Sequence, residues 1–248
     1  MDVPEHHSMI RNSQFALDTR RFGAIVNSLI APLGVEVHRP SQPHYLRDLG
    51  IRTVLDVGAN VGQFAERVRK LLPAVTIHSF EPLPVVFRAL ERLAQRDASM
   101  FVHQTALGDA DGETEMHENL FSPSSSILPM TPAHTNAFPG TAHTRPIRVP
   151  VTRLDAWAST RDLPEPILVK LDVQGYEDRV LAGGEATLKK VHALIVETSF
   201  RELYQGQLLF DDLHSLLRRL DFRCVGFENV SRERTSGVTL QADAVFLR

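Results

Sequence analysis

An α/β fold with a mainly parallel, doubly wound sheet is predicted by three features of this 248-residue sequence. Short, nearly continuous apolar runs alternate with segments of helical periodicity over residues 51–248, which is typical of parallel strands covered on both faces. Glycine-containing turns follow two of the apolar runs at the points where helices are expected to begin. Hydrophobic residues make up 43% and charged residues 23%, a composition that favours a globular protein over a disordered or fibrous one.

The first 50 residues are predicted to form a helical cover outside the sheet. Apolar side chains recur at spacings of three and four between Phe15 and Ile30, and Pro32 ends the pattern. A second, short helix is expected at His44–Leu49. The first helix can pack on its own sheet or on a second subunit, so the sequence does not decide whether the protein is a homodimer.

Seven strands and four helices are predicted in residues 51–248. The strands are Thr53–Val57, Val75–Phe80, Phe101–Leu107, Ile167–Val173, Leu194–Thr198, Cys224–Phe227 and Ala244–Leu247. The helices are Gln63–Leu72, Pro84–Arg96, Glu177–Lys189 and Leu209–Leu220. Too few residues separate the last two strands for a crossover helix, so Cys224–Val230 and Val238–Leu247 are expected to form an antiparallel hairpin at the end of the sheet.

The middle of the chain, Asp109–Ala142, is rich in Ser, Thr, Pro and Gly and shows no periodicity. A long connection without regular structure in a compact domain is typical of a functional lid or an insertion. We expect a substrate lid here.

Charge and cysteine content exclude several classes of function. The chain carries 27 basic and 30 acidic side chains, so it lacks the basic surface that a nucleic-acid backbone requires. The single cysteine, Cys224, excludes a disulfide framework and a cysteine-rich zinc site, and it fits a cytoplasmic location. No apolar run approaches the length of a transmembrane segment, and the N-terminal residues do not resemble a secretory signal.

The turn after the first strand is the strongest local signal. In VLDVGANVGQF, Asp56 comes at the carboxyl end of the strand, where open α/β sheets bind ligands. Gly58 and Gly62 let a ligand approach the backbone closely. A pyrophosphate site would favour a third glycine where Gln63 stands, and a carboxylate would repel the pyrophosphate. Asp56 therefore suits a cationic ligand, such as the sulfonium and amino groups of S-adenosylmethionine.

A second acidic residue, Glu81, ends the next strand along the chain. A carboxylate at this position can accept hydrogen bonds from both hydroxyls of a ribose. Together, the ends of the first two strands predict an adenosine-type ligand.

Two later strands also end in carboxylates, Asp172 in LVKLDVQGYE and Glu197 in LIVETSF. Asp172 is placed to orient a cofactor amine, to bind a metal ion or to accept a proton, or it only caps the following helix. An octahedral Mg²⁺ site needs oxygen ligands, and these two residues could supply two, so metal dependence stays open.

Histidines are the other candidate proton acceptors, because their ordinary pKa is near neutrality. His78 and His103 lie within predicted strands and are expected to be core residues. His117, His134 and His143 lie in or beside the expected lid and are expected to be ordinary loop residues. The sequence does not choose among them.

The ordered set of motifs resembles FkbM-type methyltransferases, a branch of the class I S-adenosylmethionine-dependent enzymes. The resemblance covers roughly residues 53–200 and runs through VLDVGANVGQF, FEPLP, QTALGDADGE, the serines at 124–126, VPVTRLDAW, LVKLDVQGYE and IVETSF. It implies a Rossmann-like sheet of seven strands that ends in the antiparallel hairpin. It also implies methyl transfer to a hydroxyl group, often on a sugar of a glycolipid, a surface polysaccharide or a macrolide-type natural product.

The resemblance also implies which residues form the site. The cofactor-binding residues would be Asp56, Gly58, Ala59, Asn60, Gly62, Phe64, Glu81, Pro82, Ala106 and Leu107, the last two beside the adenine. Asp172 and Glu197 are the expected catalytic residues. Ser125, Ser126 and Tyr176 are expected on the acceptor side, where the tyrosine ring could stack on a sugar or could equally fill a core position. Many relatives have Glu where this sequence has Gln174, so a charge is not expected to be required there.

Two other functions are compatible with these motifs. A nicotinamide-dependent oxidoreductase shares the two strand ends but favours a third glycine at residue 63. A protein that binds S-adenosylmethionine without turnover would need neither Asp172 nor Glu197. For the methyltransferase, the expected partner is a small-molecule or glycan acceptor, whose hydroxyl needs a general base or a metal ion to become a good nucleophile.

Overall fold

The computed structural model describes residues 44–233 and 235–248, and His44–Arg248 form one compact unit. The expected cover helix between Phe15 and Ile30 lies outside the described residues. The described residues form ten strands: β1 Thr53–Val57, β2 Thr76–Phe80, β3 Met100–His103, β4 Ala106–Gly108, β5 Gly112–Asn119, β6 Thr144–Arg153, β7 Ile167–Leu171, β8 Val191–Ser199, β9 Arg223–Arg232 and β10 Thr239–Leu247. The helices are α1 His44–Asp48, α2 Gln63–Leu71, α3 Pro84–Ala94, α4 Pro132–Ala137, α5 Leu154–Ala158, α6 Glu177–Ala182, α7 Glu185–Leu188 and α8 Phe210–Arg219.

The main sheet has seven strands in the order β3-β2-β1-β7-β8-β10-β9. The first five in this order pair in parallel, whereas β10 is antiparallel to both β8 and β9. This topology confirms the predicted doubly wound sheet and the predicted C-terminal hairpin. Since the five parallel strands run in the same direction, the residues that follow β1, β2, β7 and β8 meet at one edge of the sheet.

Helices cover both faces of the main sheet. Successive residues of its central strands point to opposite faces, and apolar side chains on each face pack against the helices. In β1, Val54 packs with residues of α1, α2 and α3, whereas Leu55 packs with residues of α5, α6, α7 and α8. Both side chains are completely buried. The near-continuous apolar runs of the sequence therefore reflect strands that are buried on two faces.

A second, three-stranded sheet with the order β4-β6-β5 was not predicted. The expected strand Phe101–Leu107 is in fact divided between the two sheets, β3 in the large one and β4 in the small one. The expected unstructured segment Asp109–Ala142 contains β5, α4 and two short 3-10 helices. Its role as a lid stays a prediction.

Cross-strand charge pairs, together with the packing of Met116 on Val149, hold the polar strand β5 against β6. Glu118 lies opposite Arg145 in the antiparallel register with β6, and the two side chains form an ion pair. Glu113 of β5 forms a second ion pair with Arg148, which lies on β6 as Arg145 does. The Glu113–Arg148 pair is exposed and therefore weak, whereas the Glu118 carboxylate is largely covered; both pairs favour this register over its alternatives.

The expected helix Glu177–Lys189 is interrupted at Gly183 and Gly184. A Cβ atom on Gly183 would lie 1.9 Å from the carbonyl oxygen of Gly108, so the two segments can touch here only without a side chain. No helix among residues 44–233 and 235–248 is long and apolar enough to cross a membrane.

Candidate functional site

A cavity of about 550 Å³ opens at the carboxyl edge of the main sheet. Twelve of the residues expected from the sequence line it: Gly58, Ala59, Asn60, Phe64, Glu81, Pro82, Ala106, Leu107, Ser125, Asp172, Tyr176 and Glu197. This volume lies within the usual range for small-molecule and cofactor sites. The cavity wall does not include Asp56, Gly62 or Ser126.

The turn after β1 has a backbone conformation that depends on glycine. Gly58 has φ +79°, and a Cβ atom there would lie 1.9 Å from the carbonyl oxygen of Asp172. The amides of Gly58 and Ala59 donate to the carbonyl oxygen of Phe80 at 3.1 and 2.9 Å. The turn is therefore fixed between the ends of β2 and β7, with its next residues facing the cavity.

Glu81 is held at the cavity wall by two main-chain donors. The amide of Asn60 donates to Oε2 at 3.0 Å, and the amide of Leu83 donates to Oε1 at 2.9 Å. Burial raises the pKa of Glu81 from 4.5 to about 7, although the two amide hydrogen bonds oppose this shift. Each carboxylate oxygen keeps a further lone pair for a ligand hydroxyl.

Three expected site residues have other roles in the fold. The Asp56 side chain is completely buried between Ser79 and Lys170, its partners in the register of β1 with β2 and β7. Burial raises the pKa of Asp56 to about 6. A side chain on Gly62 would collide with α3, so this glycine serves helix packing. The Ser126 hydroxyl donates to the carbonyl oxygen of Gln174 at 2.7 Å.

Lys170 and Asp172 form an ion pair deep in the cavity, with 2.7 Å between Nζ and Oδ2. Burial alone would raise the pKa of Asp172, but the charge of Lys170 and its hydrogen bond outweigh burial and hold the pKa below its ordinary value. Burial would likewise lower the pKa of Lys170, and the nearby carboxylates of Asp172, Asp243 and Asp56 raise it instead. Both groups of the pair are therefore charged.

The side-chain amide of Gln174 joins the two carboxylates that we expected to be catalytic. Its Nε2 donates to Oδ1 of Asp172 at 2.8 Å and to Oε2 of Glu197 at 2.5 Å. Its Oε1 accepts a hydrogen bond from the Tyr204 hydroxyl at 2.6 Å. No required charge was expected at residue 174, and the structure gives the neutral amide of Gln174 a bridging role.

Glu197 differs from Asp172 in its proton affinity. Burial, followed by the charges of Asp172 and Glu177, raises the pKa of Glu197 well above its ordinary value. Gln241 on β10 donates to Oε1 of Glu197 at 2.6 Å. Of the two carboxylates, Glu197 binds a proton more readily, and Asp172 carries the more stable negative charge.

The donors around these carboxylates do not fit a metal site. Each oxygen of Asp172 and Glu197 accepts a hydrogen from Lys170, Gln174 or Gln241. Within the described part of the chain, no group of three or more His, Cys, Asp and Glu side chains is arranged to hold a metal ion. We therefore assign no step to Mg²⁺.

Only one of the candidate histidines lines the cavity. His134 on α4 is buried, and its Nε2 lies 3.1 Å from the Tyr204 hydroxyl while its Nδ1 lies 3.1 Å from the hydroxyl of Thr141. Burial lowers the pKa of His134. Because both ring nitrogens have partners within the fold, His134 supports Tyr204 rather than facing a ligand directly.

His78 on β2 and His103 on β3 do not line the cavity but belong to an aromatic cluster that reaches it through Phe80. His78 and His103 stack on each other, and both contact the ring of Trp157. Burial lowers the pKa of each histidine to about 4. Trp157 is therefore in this cluster and not in the cavity wall.

Several cavity residues had no signal in the sequence motifs. They include Arg67 on α2 and three residues of the C-terminal hairpin, Asn229, Gln241 and Asp243. The last three could have been identified because they are polar residues in a predicted hairpin that lies next to the strand carrying Glu197.

A family model described as the methyltransferase FkbM domain matches residues 56–224, which is more than half of the chain. This chain belongs to the FkbM methyltransferase family. The resemblance stated from the motifs is therefore confirmed. The matched range includes the turn after β1, Glu81, Asp172 and Glu197, and it ends at the start of β9.

Two curated relatives extend the comparison for this FkbM-family chain. The 2-O-methyltransferase NoeI of Sinorhizobium fredii (strain NBRC 101917 / NGR234) is 33% identical over 162 residues, which cover 62% of this chain and 66% of that protein. The 31-O-demethyl-FK506 methyltransferase FkbM of Streptomyces tacrolimicus is 31% identical over 173 residues, which cover 58% of this chain and 64% of that protein. The match therefore spans slightly less than two thirds of the length of these relatives.

The crystal structure of the methyltransferase FkbM from Methylobacillus flagellatus KT has the same fold as this FkbM-family chain. The TM-score is 0.51 at 15% sequence identity, over 86% of this chain and 48% of that one. It supports the class I methyltransferase fold.

Proposed function

We propose that this chain is an S-adenosylmethionine-dependent O-methyltransferase that acts on a hydroxyl group of a sugar, in a glycolipid, a polysaccharide or a glycosylated natural product. The observation that carries the proposal is that the turn after β1 and Glu81 line the same cavity. A hydrogen bond from the Asn60 amide to the Glu81 carboxylate joins the two. Membership of the methyltransferase family supports the reaction class. The names of the two relatives, a 2-O-methyltransferase and a 31-O-demethyl-FK506 methyltransferase, support an oxygen acceptor.

The residues of the cavity fit S-adenosylmethionine. Glu81 can accept hydrogen bonds from the ribose hydroxyls, and the backbone at residues 58–60 leaves room for the methionine part. Ala106 and Leu107 give an apolar surface for the adenine. Four carboxyl groups line the wall, those of Glu81, Asp172, Glu197 and Asp243, against two cations, Lys170 and Arg67, and this excess of acidic groups suits a ligand with a sulfonium and an ammonium group.

When bound, S-adenosylmethionine supplies a methyl group that a nucleophile can attack, with the sulfur as the leaving atom. The chain has to align the acceptor oxygen with this methyl group and remove the hydroxyl proton. Glu197 suits the proton transfer because its raised pKa gives it the higher proton affinity of the two carboxylates. The bound cofactor would give its methyl group to the acceptor oxygen and leave as a neutral thioether, and Glu197 would take the hydroxyl proton.

Asp172 acts as a fixed charge in this proposal. Its ion pair with Lys170 and its hydrogen bond from Gln174 keep it ionised and oriented. Gln174 and Gln241 donate to Glu197, which favours the ionised form that can accept a proton.

The test is incubation of the purified protein with methyl-labelled S-adenosylmethionine and glycolipid, polysaccharide or glycosylated natural-product fractions. Mass spectrometry should show a labelled methyl ether on a sugar residue. Label on a nitrogen or carbon atom, or on no product of any fraction, contradicts the proposal.

A further inference from the structure

The C-terminal hairpin contributes polar side chains to the cavity beyond the residues assigned above. Asn229 lies on β9, Gln241 and Asp243 lie on β10, and all three line the cavity. The register of β10 with β8 pairs Asp243 with Glu197. Side chains of directly paired residues lie on the same face, with Cβ atoms about 5 Å apart. The hairpin therefore continues the cavity wall past Glu197.

The strand order divides the cavity into two halves. Glu81 follows β2 and the glycine turn follows β1, whereas Asp172, Glu197 and the hairpin lie successively further across the sheet. Neighbouring strands are about 4.8 Å apart, so β10 lies roughly 10 Å from β7. A cofactor held by the turn and Glu81 fills the first half. Because displacement is in line with the leaving sulfur, the acceptor has to approach from the second half.

The hydrogen bonds of the hairpin fix its two side-chain amides. Nδ2 of Asn229 donates to Oδ2 of Asp243 at 2.6 Å, and Nε2 of Gln241 donates to Oε1 of Glu197 at 2.6 Å. Among residues 44–233 and 235–248, these side chains accept no hydrogen bond at Oδ1 of Asn229, Oε1 of Gln241 or Oδ1 of Asp243. This half of the cavity therefore presents three oxygen acceptors to a ligand.

We propose that Asn229, Gln241 and Asp243 form the acceptor subsite and that it takes a ligand with several neighbouring hydroxyl groups. The inference rests on the methyltransferase function proposed above and adds the residues that select the acceptor. Neighbouring hydroxyls supply hydrogen-bond donors to the three oxygens. An apolar aromatic acceptor would displace water from the same oxygens without replacing its hydrogen bonds, which disfavours binding.

Two variants and a control on the same hairpin test the subsite. Asn229 has φ +49°, a conformation that glycine adopts without strain, so Asn229→Gly removes the side chain and keeps the backbone. Asp243→Asn keeps the shape, and because Nδ2 of Asn229 needs an oxygen as its partner, the new amide nitrogen takes the place of the acceptor Oδ1. Ser231→Ala is the control, because Ser231 lies on β9 outside the cavity wall. Transfer from S-adenosylmethionine to a panel of methyl glycosides and to a panel of phenols is measured as release of S-adenosylhomocysteine.

The wild-type protein should methylate at least one glycoside and no phenol. Asn229→Gly and Asp243→Asn should each raise the KM for that glycoside about tenfold or more. Ser231→Ala should leave KM unchanged. All three variants should bind S-adenosylhomocysteine within about twofold of the wild-type affinity.

Other results overturn the subsite. An unchanged KM in both variants, or a loss of S-adenosylhomocysteine affinity as large as the rise in KM, shows that the hairpin does not select the acceptor. If the wild type binds S-adenosylhomocysteine but methylates no glycoside, and if no glycoside shifts the side-chain amide resonances of Asn229 and Gln241, the subsite is wrong while the cofactor site stands. If S-adenosylhomocysteine does not bind at all, the proposed function itself fails, and the subsite fails with it.

Discussion

The carbonyl oxygen of Asp172 occupies the position that a side chain on Gly58 would need, because a Cβ atom there would lie only 1.9 Å from it. The contact joins the ends of β1 and β7, which are neighbours in the sheet. It also connects the turn of the expected cofactor site to the strand end that carries a catalytic candidate. Glycine at residue 58 is therefore required by the protein backbone itself.

Gly58→Ala should destabilise the fold by about 3 kcal/mol or more, because it adds a backbone collision to the strain of a positive φ. Gly50→Ala is the matched control, since Gly50 has φ +62° with no atom near its added Cβ. That variant should lose only about 1 kcal/mol. Urea denaturation measures both values. Equal losses in the two variants would contradict the close approach of Asp172.

Glu81→Gln should weaken binding of S-adenosylhomocysteine by about 1 to 3 kcal/mol. The carboxylate accepts two main-chain hydrogen bonds and can accept ribose hydroxyls as well, whereas one end of the glutamine amide can only donate. Glu66→Gln, at an exposed position of α2, is the control and should bind as the wild type does. Calorimetry that finds the same affinity in Glu81→Gln and Glu66→Gln would reject the ribose assignment.

Glu197→Gln should lower kcat about a hundredfold or more and leave S-adenosylhomocysteine affinity unchanged, because the amide keeps the shape but cannot accept the proton. In the wild type, Glu197 acts only when ionised, and burial raises its pKa. The wild-type rate should therefore rise with pH as this proton is lost. Glu202→Gln, after the same strand and outside the cavity wall, should retain the wild-type kcat. A wild-type rate that falls as rising pH removes the proton from Glu197 would exclude this residue as the base.

Glu177 makes the stability of the fold depend on pH. Its Oε1 accepts the amides of Val173 and Gly175 at 3.1 and 3.3 Å, and burial raises its pKa from 4.5 to about 7. Between these two values, the folded chain keeps a proton that the unfolded chain releases. This contribution to the free energy of unfolding is therefore largest at the low end of the window and is lost as pH rises through about 7.

Glu177→Gln should remove the contribution of this one residue, because the amide oxygen can still accept both hydrogen bonds without ionising. The variant should be more stable than the wild type by about 2 kcal/mol near pH 8 and about equal to it near pH 4.5. Urea denaturation at the two pH values measures the difference. Glu185→Gln, exposed on α7, should follow the wild type at both. A wild type and a Glu177→Gln variant with parallel stability profiles would show that Glu177 is not buried as described.

The main sheet could be predicted from the sequence because its central strands are buried on both faces and appear as short apolar runs. The same method missed the small sheet. Its strand β5, GETEMHEN, has no apolar run, and its register depends on pairing with Arg145 and other residues of β6 that lie far along the chain. Local patterns carry no information about such distant charge pairs.

The sequence predicted the site residues that lie at the carboxyl ends of parallel strands, but not those that other elements bring to the cavity. Glu81, Asp172 and Glu197 reach the cavity because parallel strands end at one edge of the sheet. Asp56 does not, because its side chain is completely buried between Ser79 and Lys170, its partners on the neighbouring strands β2 and β7. The bridge from Gln174 to Tyr204 joins residues 30 positions apart on two different loops, so only the tertiary structure reveals it.

The most direct test of the central claim is a calorimetric titration of the purified protein with S-adenosylhomocysteine and, separately, with NAD. The account predicts that S-adenosylhomocysteine binds at one site per chain, that Glu81→Gln weakens this binding, and that NAD gives no heat. Binding of NAD at one site per chain, or no binding of S-adenosylhomocysteine, would contradict the account.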